Sequence, residues 1–337
     1  MTNPVLSILV ITHNQKELLK RCLKSVLEQE LRVPFEVIVS DDRSTDGTEE
    51  WVESLCDERI VYTHCNSDEC NPTCTSERCG WNKLNAYCHA QGDYFVNIDA
   101  DDYLRSKDIY QKQLDMLLTH PECSMCMQRA LTLKEEQPES EGNAWPKQKI
   151  LQNGAVIQIE DFFMQGLRGL NQTYMTRRHP EDNMRTLYGK WYDDTVITYH
   201  HLQYGPVVFL DRADYVWMQY KTSITHELNT DDCLVTYGLL ALTHIQLIPY
   251  FKYWYIREEI GAMIHLMKVA PEYPHLSEQY RNYLKQFDGF LFRYFTAENH
   301  GWSDRLRYLA ARVILLIISK FNLTGKRWLE WAYRIMC

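Results

Sequence analysis

No stretch of this 337-residue chain approaches the roughly 18 consecutive apolar residues that a membrane span requires. The opening Met1-Thr2-Asn3-Pro4 has no charged segment followed by an apolar one, so no secretory signal is expected. Internal repeats and low-complexity tracts are missing too. An excess of positive charge is also absent: the formal charge is −9, which argues against a general nucleic-acid binder. After the first apolar run, Thr12-His13-Asn14-Gln15 offers no Gly-rich, basic phosphate loop. That excludes a nucleotidyltransferase built on such a loop. With no signal, the eleven cysteines are expected as thiols or metal ligands in a reducing cytosol, not as disulfides.

What is present begins with an alternation. Val5-Leu6-Ser7-Ile8-Leu9-Val10-Ile11 and Phe35-Glu36-Val37-Ile38-Val39 read as buried strands. A helix over 17–30 joins them, with Leu18, Leu19, Cys22, Leu23, Val26 and Leu27 on one face. A third strand is expected at 60–63 and a helix over 82–91. Residues 92–98, with Tyr94, Phe95, Val96 and Ile98, form a further strand. The alternation predicts a mostly parallel sheet with helices on its faces. Two acidic turns end these strands: Ser40-Asp41-Asp42-Arg43-Ser44-Thr45-Asp46, where Asp46 or Thr48 caps the next helix, and Asp99-Ala100-Asp101-Asp102. Both fall at the carboxyl edge, where ligands of such sheets bind. Three carboxylates in four residues repel one another unless a cation sits between them, and a hard divalent ion holding a phosphate answers that need.

Together these motifs resemble the inverting nucleotide-sugar glycosyltransferases of family 2, which have the GT-A fold, over about residues 5–225. The stretch 7–14 resembles the family's first strand and its nucleotide-contacting turn. Residues 36–48 resemble its second strand and turn, Asn82-Lys83 its basic step, and Asp99-Ala100-Asp101-Asp102 its DxD motif. The resemblance implies roles. Asp42, or else Asp41, accepts hydrogen bonds from the nucleotide base, with Ile11, Thr12 and Asn14 beside it. Lys83 reaches the diphosphate. Asp99, next to Ala100, contacts the ribose, Asp101 binds Mn²⁺ or Mg²⁺, and Asp102 binds metal or holds the turn. Trp191-Tyr192-Asp193-Asp194-Thr195 resembles the motif that supplies the general base, here Asp194 with Asp193 as the alternative. One segment departs from the pattern: Met218 stands where Arg is common and Tyr220 where a His ligates metal, so Lys221 or a neighbour is left to meet the diphosphate.

Three regions complete the expectations. Residues 134–153 are polar and read as a flexible excursion. Cys65, Cys70, Cys74 and Cys79, spaced x4, x3 and x4 apart, are candidate ligands of a structural Zn²⁺, although the spacing is not that of CxxC ribbons. Residues 302–337 carry seven Lys and Arg against two Asp and Glu, a net +5 that leaves −14 on the remainder. With Trp and Leu at helical spacing, that tail reads as an interfacial helix on a membrane surface. The expected architecture is therefore an α/β GT-A domain, with a Rossmann-like mostly parallel sheet and flanking helices, over 1–228. Its donor half covers about 1–130 and its acceptor half about 131–228. A helical extension covers 229–300 and the basic tail 301–337. The expected activity is metal-dependent transfer of a sugar from a nucleotide-diphospho-sugar donor, a UDP-sugar, to a hydroxyl of a glycan or lipid-linked acceptor. The site would be the cytoplasmic, inner face of a cell membrane in envelope glycan synthesis. The alternative is a non-catalytic protein of the same fold that binds nucleotide or glycan, or serves as a scaffold.

Overall fold

A computed structural model describes residues 3–72, 75–148, 150–164, 167, 171–179, 184 and 194–220. The chain divides into two units, Met1–Ile224 and Thr225–Cys337. The second lies outside the described residues, as do the expected helical extension, the basic tail, Lys221, Cys74 and Asp193. Among the described residues no helix is long and apolar enough to cross a membrane.

Strand β1 (Leu6–Thr12) is buried at every position. That is what a run without apolar–polar alternation requires, because both of its faces are covered. It pairs in parallel with β2 (Phe35–Asp41) on one side and with β4 (Tyr94–Asp99) on the other, and β2 pairs in parallel with β3 (Ile60–His64). Helix α1 (Lys16–Leu27) lays Leu19, Cys22, Leu23 and Val26 against this core. Helix α2 (Thr48–Ser54) follows β2, and Asp46 joins the starts of both helices. Its Oδ2 accepts from the Lys16 N–H (2.9 Å), and its Oδ1 from the N–H (3.2 Å) and hydroxyl (2.6 Å) of Thr48. The expected cap is thus shared by two helices.

Helix α3 (Thr75–His89) starts seven residues before the expected helix. Cys79 therefore lies within it, one turn ahead of Lys83. At its far end Gly92 lets the chain pass close to β1: a Cβ there would meet the Ser7 nitrogen at 2.7 Å.

After β4 come the two-residue β5 (Tyr103–Leu104) and helix α4 (Ile109–Thr119). The short strands β6 (Met125–Met127), β7 (Ala130–Lys134), β8 (Asn143–Trp145) and β9 (Val156–Ile157) precede helix α5 (Ile159–Met164). Then come β10 (Tyr174–Arg177), helix α6 (Asp194–Leu202), β11 (Val207–Phe209) and β12 (Tyr215–Gln219). The main sheet runs β3-β2-β1-β4-β10-β6-β11-β9, and a smaller one runs β5-β12-β7-β8. Strand β10 is antiparallel to both its neighbours, so parallel pairing dominates only the first half.

The polar stretch 134–153 is not the flexible excursion its composition suggests. It turns at Glu139–Glu141 and returns as β8, antiparallel to β7. Glu139 fastens it to the β5 region, accepting from the Tyr103 hydroxyl (2.8 Å) and pairing with Arg105 (2.9 Å).

Candidate active site

The first wall of the site is the carboxyl edge of β1 and β2. Register sets Thr12 opposite Asp41, and the Asp42 N–H donates to the Thr12 carbonyl (3.1 Å). Both carboxylates of this turn are nearly buried, Asp41 at 1% exposure and Asp42 at 5%. Asp41 accepts from the N–H (3.0 Å) and hydroxyl (2.6 Å) of Ser44 and from the Tyr62 hydroxyl. Burial, and then the hydrogen bond to Asp41, push the Tyr62 phenol well above its ordinary value. Asp42 accepts from the N–H (3.0 Å) and hydroxyl (2.5 Å) of Ser67. Asn14 takes a left-handed conformation (φ 51°), which Asn tolerates better than most residues. Its N–H donates to Ser44 Oγ (2.7 Å), and its Oδ1 accepts from the Thr45 N–H (2.7 Å). Ile11, Thr12, Asn14, Asp41 and Asp42 thus gather at one edge. Both acids already hold the turn, and each carboxylate has about four acceptor sites in all, which bounds what remains for a ligand.

The second wall is the acidic turn itself. The Ala100 N–H donates to the Ile11 carbonyl (3.1 Å) and the Asp102 N–H to the Asp99 carbonyl (3.0 Å). The three carboxylates have different surroundings. Asp102 is 1% exposed and accepts from the Tyr215 hydroxyl and the Met218 N–H (2.8 Å), both on β12. Of the roles open to it, binding metal or holding the turn, these bonds occupy it with the second. Among the described residues the Asp101 carboxylate takes no hydrogen bond from another side chain. Burial, and then the Asp99 charge, push it up to about 6. Its own backbone N–H bonds to it, and an oxygen without a side-chain donor is the hard kind that a divalent cation takes, although among the described residues no group of three or more His, Cys, Asp or Glu side chains is arranged to hold one.

The third element joins the two halves of the chain. Lys83, 6% exposed, projects from α3 to Asp194 Oδ1 (2.5 Å) and Asp99 Oδ1 (3.4 Å). Burial alone would lower its pKa, but the Asp194 and Asp99 charges outweigh burial and hold it raised. Asp99 is raised, by burial first, while Lys83 opposes and Asp194 adds to the shift. Gln172, in the short turn Asn171–Thr173 before β10, donates through Nε2 to Asp99 Oδ2 (2.7 Å) and Asp194 Oδ2 (3.1 Å). The first residue of α6 therefore faces the end of β4. Lys83 bridges carboxylates here, where the sequence pointed it at a diphosphate.

Sequence reasoning missed two residues. Gln172 belongs to no motif, and its contact with Asp99 comes from the turn that leads into β10. Arg21, on α1, donates through Nη2 to the Asp101 carbonyl (2.7 Å) and the Tyr220 hydroxyl (3.0 Å). Its guanidinium lies 4.5 Å from the centre of the Tyr103 ring. A charge amid the apolar spacing of α1 was the only signal.

Of the four expected zinc ligands, Cys65, Cys70 and Cys79 are among the described residues and Cys74 is not. Among the described residues no group of three or more His, Cys, Asp or Glu side chains is arranged to hold a metal. Cys65 lies by Asp42 and Cys70, whose thiol donates to the Ser67 carbonyl (3.0 Å). Cys79, carried into α3, lies by Lys83, Asp99 and Asp194. Burial pushes both thiols up to about 12.

Comparison with known proteins bears on the family and the fold. A family model described as "Glycosyl transferase family 2" matches residues 7–175, half of the chain. Over 105 residues the chain is 35% identical to the GalNAc(5)-diNAcBac-PP-undecaprenol beta-1,3-glucosyltransferase of Campylobacter jejuni, 31% of each protein. Over 104 residues it is 36% identical to the putative colanic acid biosynthesis glycosyl transferase WcaA of Escherichia coli, 30% of this chain and 33% of that one. It thus spans about a third of the length of these curated relatives. Among solved structures, S. aureus TarS 1-349 in complex with UDP-GlcNAc superimposes with a TM-score of 0.58 at 16% identity, over 98% of this chain and 90% of that one. The fold is GT-A. The chain belongs to glycosyl transferase family 2.

Proposed function

We propose that the protein transfers a sugar from a nucleotide-diphospho-sugar, a UDP-sugar, to a hydroxyl of a glycan or lipid-linked acceptor, with inversion at the anomeric carbon. The observation that carries this reading is the joining of Asp194 to the acidic turn. Lys83 and Gln172 hold a second-half carboxylate beside Asp99, at the edge where a donor binds. A donor-side group and an acceptor-side group in one cluster are what a displacement at a sugar carbon needs.

In this reading the turn at Asp41–Asp42 meets the base, with Ile11, Thr12 and Asn14 flanking it, and Asp99 meets the ribose. Asp101 would hold Mn²⁺ or Mg²⁺. Such an ion supplies neutralisation of the charge that develops on the leaving diphosphate. Asp194 takes the acceptor's proton as its oxygen bonds to the anomeric carbon and the bond to the diphosphate breaks. Asp193 stays the alternative base. Lys83 exchanges a carboxylate for the arriving phosphates, to which a point charge is well suited.

A relative named for an undecaprenol-linked substrate and one named for colanic acid biosynthesis support a lipid-linked or envelope glycan acceptor. A site of action on the inner face of the membrane, through the basic residues 301–337, goes with that acceptor. The test is calorimetric binding of UDP by the wild type and by Asp101→Ala, each with and without Mn²⁺. Wild-type binding should tighten with the ion and that of the variant should not. Equal tightening in both would remove Asp101 from the metal.

A further inference from the structure

Two connectors tie the donor-side carboxylate to the acceptor-side one, and they differ in charge. Lys83 is a cation that an incoming diphosphate competes for. Gln172 is neutral, so an incoming diphosphate competes for it less strongly than for a cation. Resting on the proposed function, we propose that Gln172 is a positioning residue that keeps Asp194 set against Asp99 when Lys83 turns to the donor.

The placement is built, not incidental. Strand β10 pairs antiparallel with β4, Met175 opposite Val96 and Arg177 opposite Tyr94. Gln172 lies in the turn just ahead of β10, and its 2.7 Å hydrogen bond places it at Asp99. The backbone beside it is fixed: the Thr173 carbonyl accepts from the Gln128 N–H (3.1 Å) and from Gln113 Nε2 (2.9 Å). Gln113 is 1% exposed on α4 and also donates to the Cys126 carbonyl (3.1 Å), so it anchors the turn to β6. Gln172 itself is 5% exposed.

The orientation of its amide follows from chemistry. An amide nitrogen carries two hydrogens and an ionised carboxylate only accepts. Nε2 can therefore serve Asp99 and Asp194 together, one hydrogen each. The reverse orientation would press a carbonyl oxygen against two acceptors. Hydrogen bonds to charged groups are the stronger kind, and this one nitrogen makes two. Arg21 anchors the opposite side of the turn through the Asp101 carbonyl and does not reach Asp194. Among the described residues only Lys83 and Gln172 bridge Asp99 and Asp194.

The experiment uses the full chain with Mn²⁺ and measures nucleoside diphosphate release from whichever of a UDP-, GDP- and dTDP-sugar panel the wild type accepts. Gln172→Met keeps the side chain's length and packing without its donors. Its kcat should fall about tenfold or more, with donor KM within about threefold and an unchanged melting temperature. Gln172→Glu keeps the shape and reverses the hydrogen bonding, so it should restore nothing. A Met variant at wild-type kcat, or a Glu variant that restores the rate, overturns the proposal and leaves the function standing. A kcat loss matched by lost thermal stability also overturns it, as does a loss confined to KM. A wild-type protein that releases nothing from any donor overturns the function and this inference with it.

Discussion

Replacing Lys83 by Met tests the bridge at the centre of the site. The ammonium is buried, with carboxylates at 2.5 and 3.4 Å, so the change deletes a cation and leaves two acids facing each other. At an effective dielectric constant of about 20, two unit charges 4 Å apart interact by about 4 kcal/mol. Breaking a buried pair by removing one partner costs about 3–5 kcal/mol. The Asp194 side chain is 34% exposed, which places the loss at the lower end, about 3 kcal/mol. The loss should depend on pH with a definite sign. Asp99 already has its folded pKa raised above 3.8, and losing Lys83 raises it further. A group of that kind penalises the fold when charged, so the deficit is largest at neutral pH. It shrinks as pH falls through the raised value toward 3.8. The assay is urea unfolding at several pH values, with the Lys83→Met/Asp194→Asn double variant alongside. In the Met background Asp194→Asn should be stabilising, because it removes the unpaired charge. A single-variant loss under about 1 kcal/mol, flat with pH, would refute the bridge, because breaking a buried pair costs more. So would an Asn substitution costing the same in both backgrounds.

Other consequences follow from individual contacts. Tyr215→Phe leaves a buried Asp102 oxygen short of a donor and should cost about 1–3 kcal/mol in urea unfolding. Asp101→Asn, at a carboxylate with no side-chain donor, should leave the melting temperature within a few degrees while abolishing Mn²⁺-dependent nucleotide binding. Asp46→Ala removes a cap shared by two helices and should cost about 2 kcal/mol at pH 7. Burial would raise the Asp46 pKa, but its hydrogen bonds outweigh burial and lower it. The stability it contributes is therefore full above 3.8 and lost as pH falls through the lower folded value, so the variant's deficit should fade in acid melts.

The first half of the chain was legible because its strands are continuous apolar runs stopped by polar turns. Both faces of β1 and β4 are covered, so burial erases alternation and leaves a run that reads plainly. The same physics hid the second half. Strands β6, β9 and β11 are two or three residues long, too short for any period to declare itself. Strand β8 looked like a polar loop because what orders it is a partner, β7, and the anchors on Glu139. Composition alone could not sort the three acids of the turn. Asp102 is told from Asp101 only by donors on β12, more than a hundred residues later. The same holds for Gln172, whose role depends on the turn that leads into β10. Asp194 was reached through a resemblance, and its place beside Asp99 needed the fold.

The most direct measurement is the rate of nucleoside diphosphate release with Mn²⁺ by the wild type and by Asp194→Asn, over UDP-, GDP- and dTDP-sugars, with UDP affinity measured in parallel. The expected result is release by the wild type from at least one donor and a fall of about a hundredfold or more in the variant, with UDP affinity unchanged. Release by Asp194→Asn at the wild-type rate would contradict it.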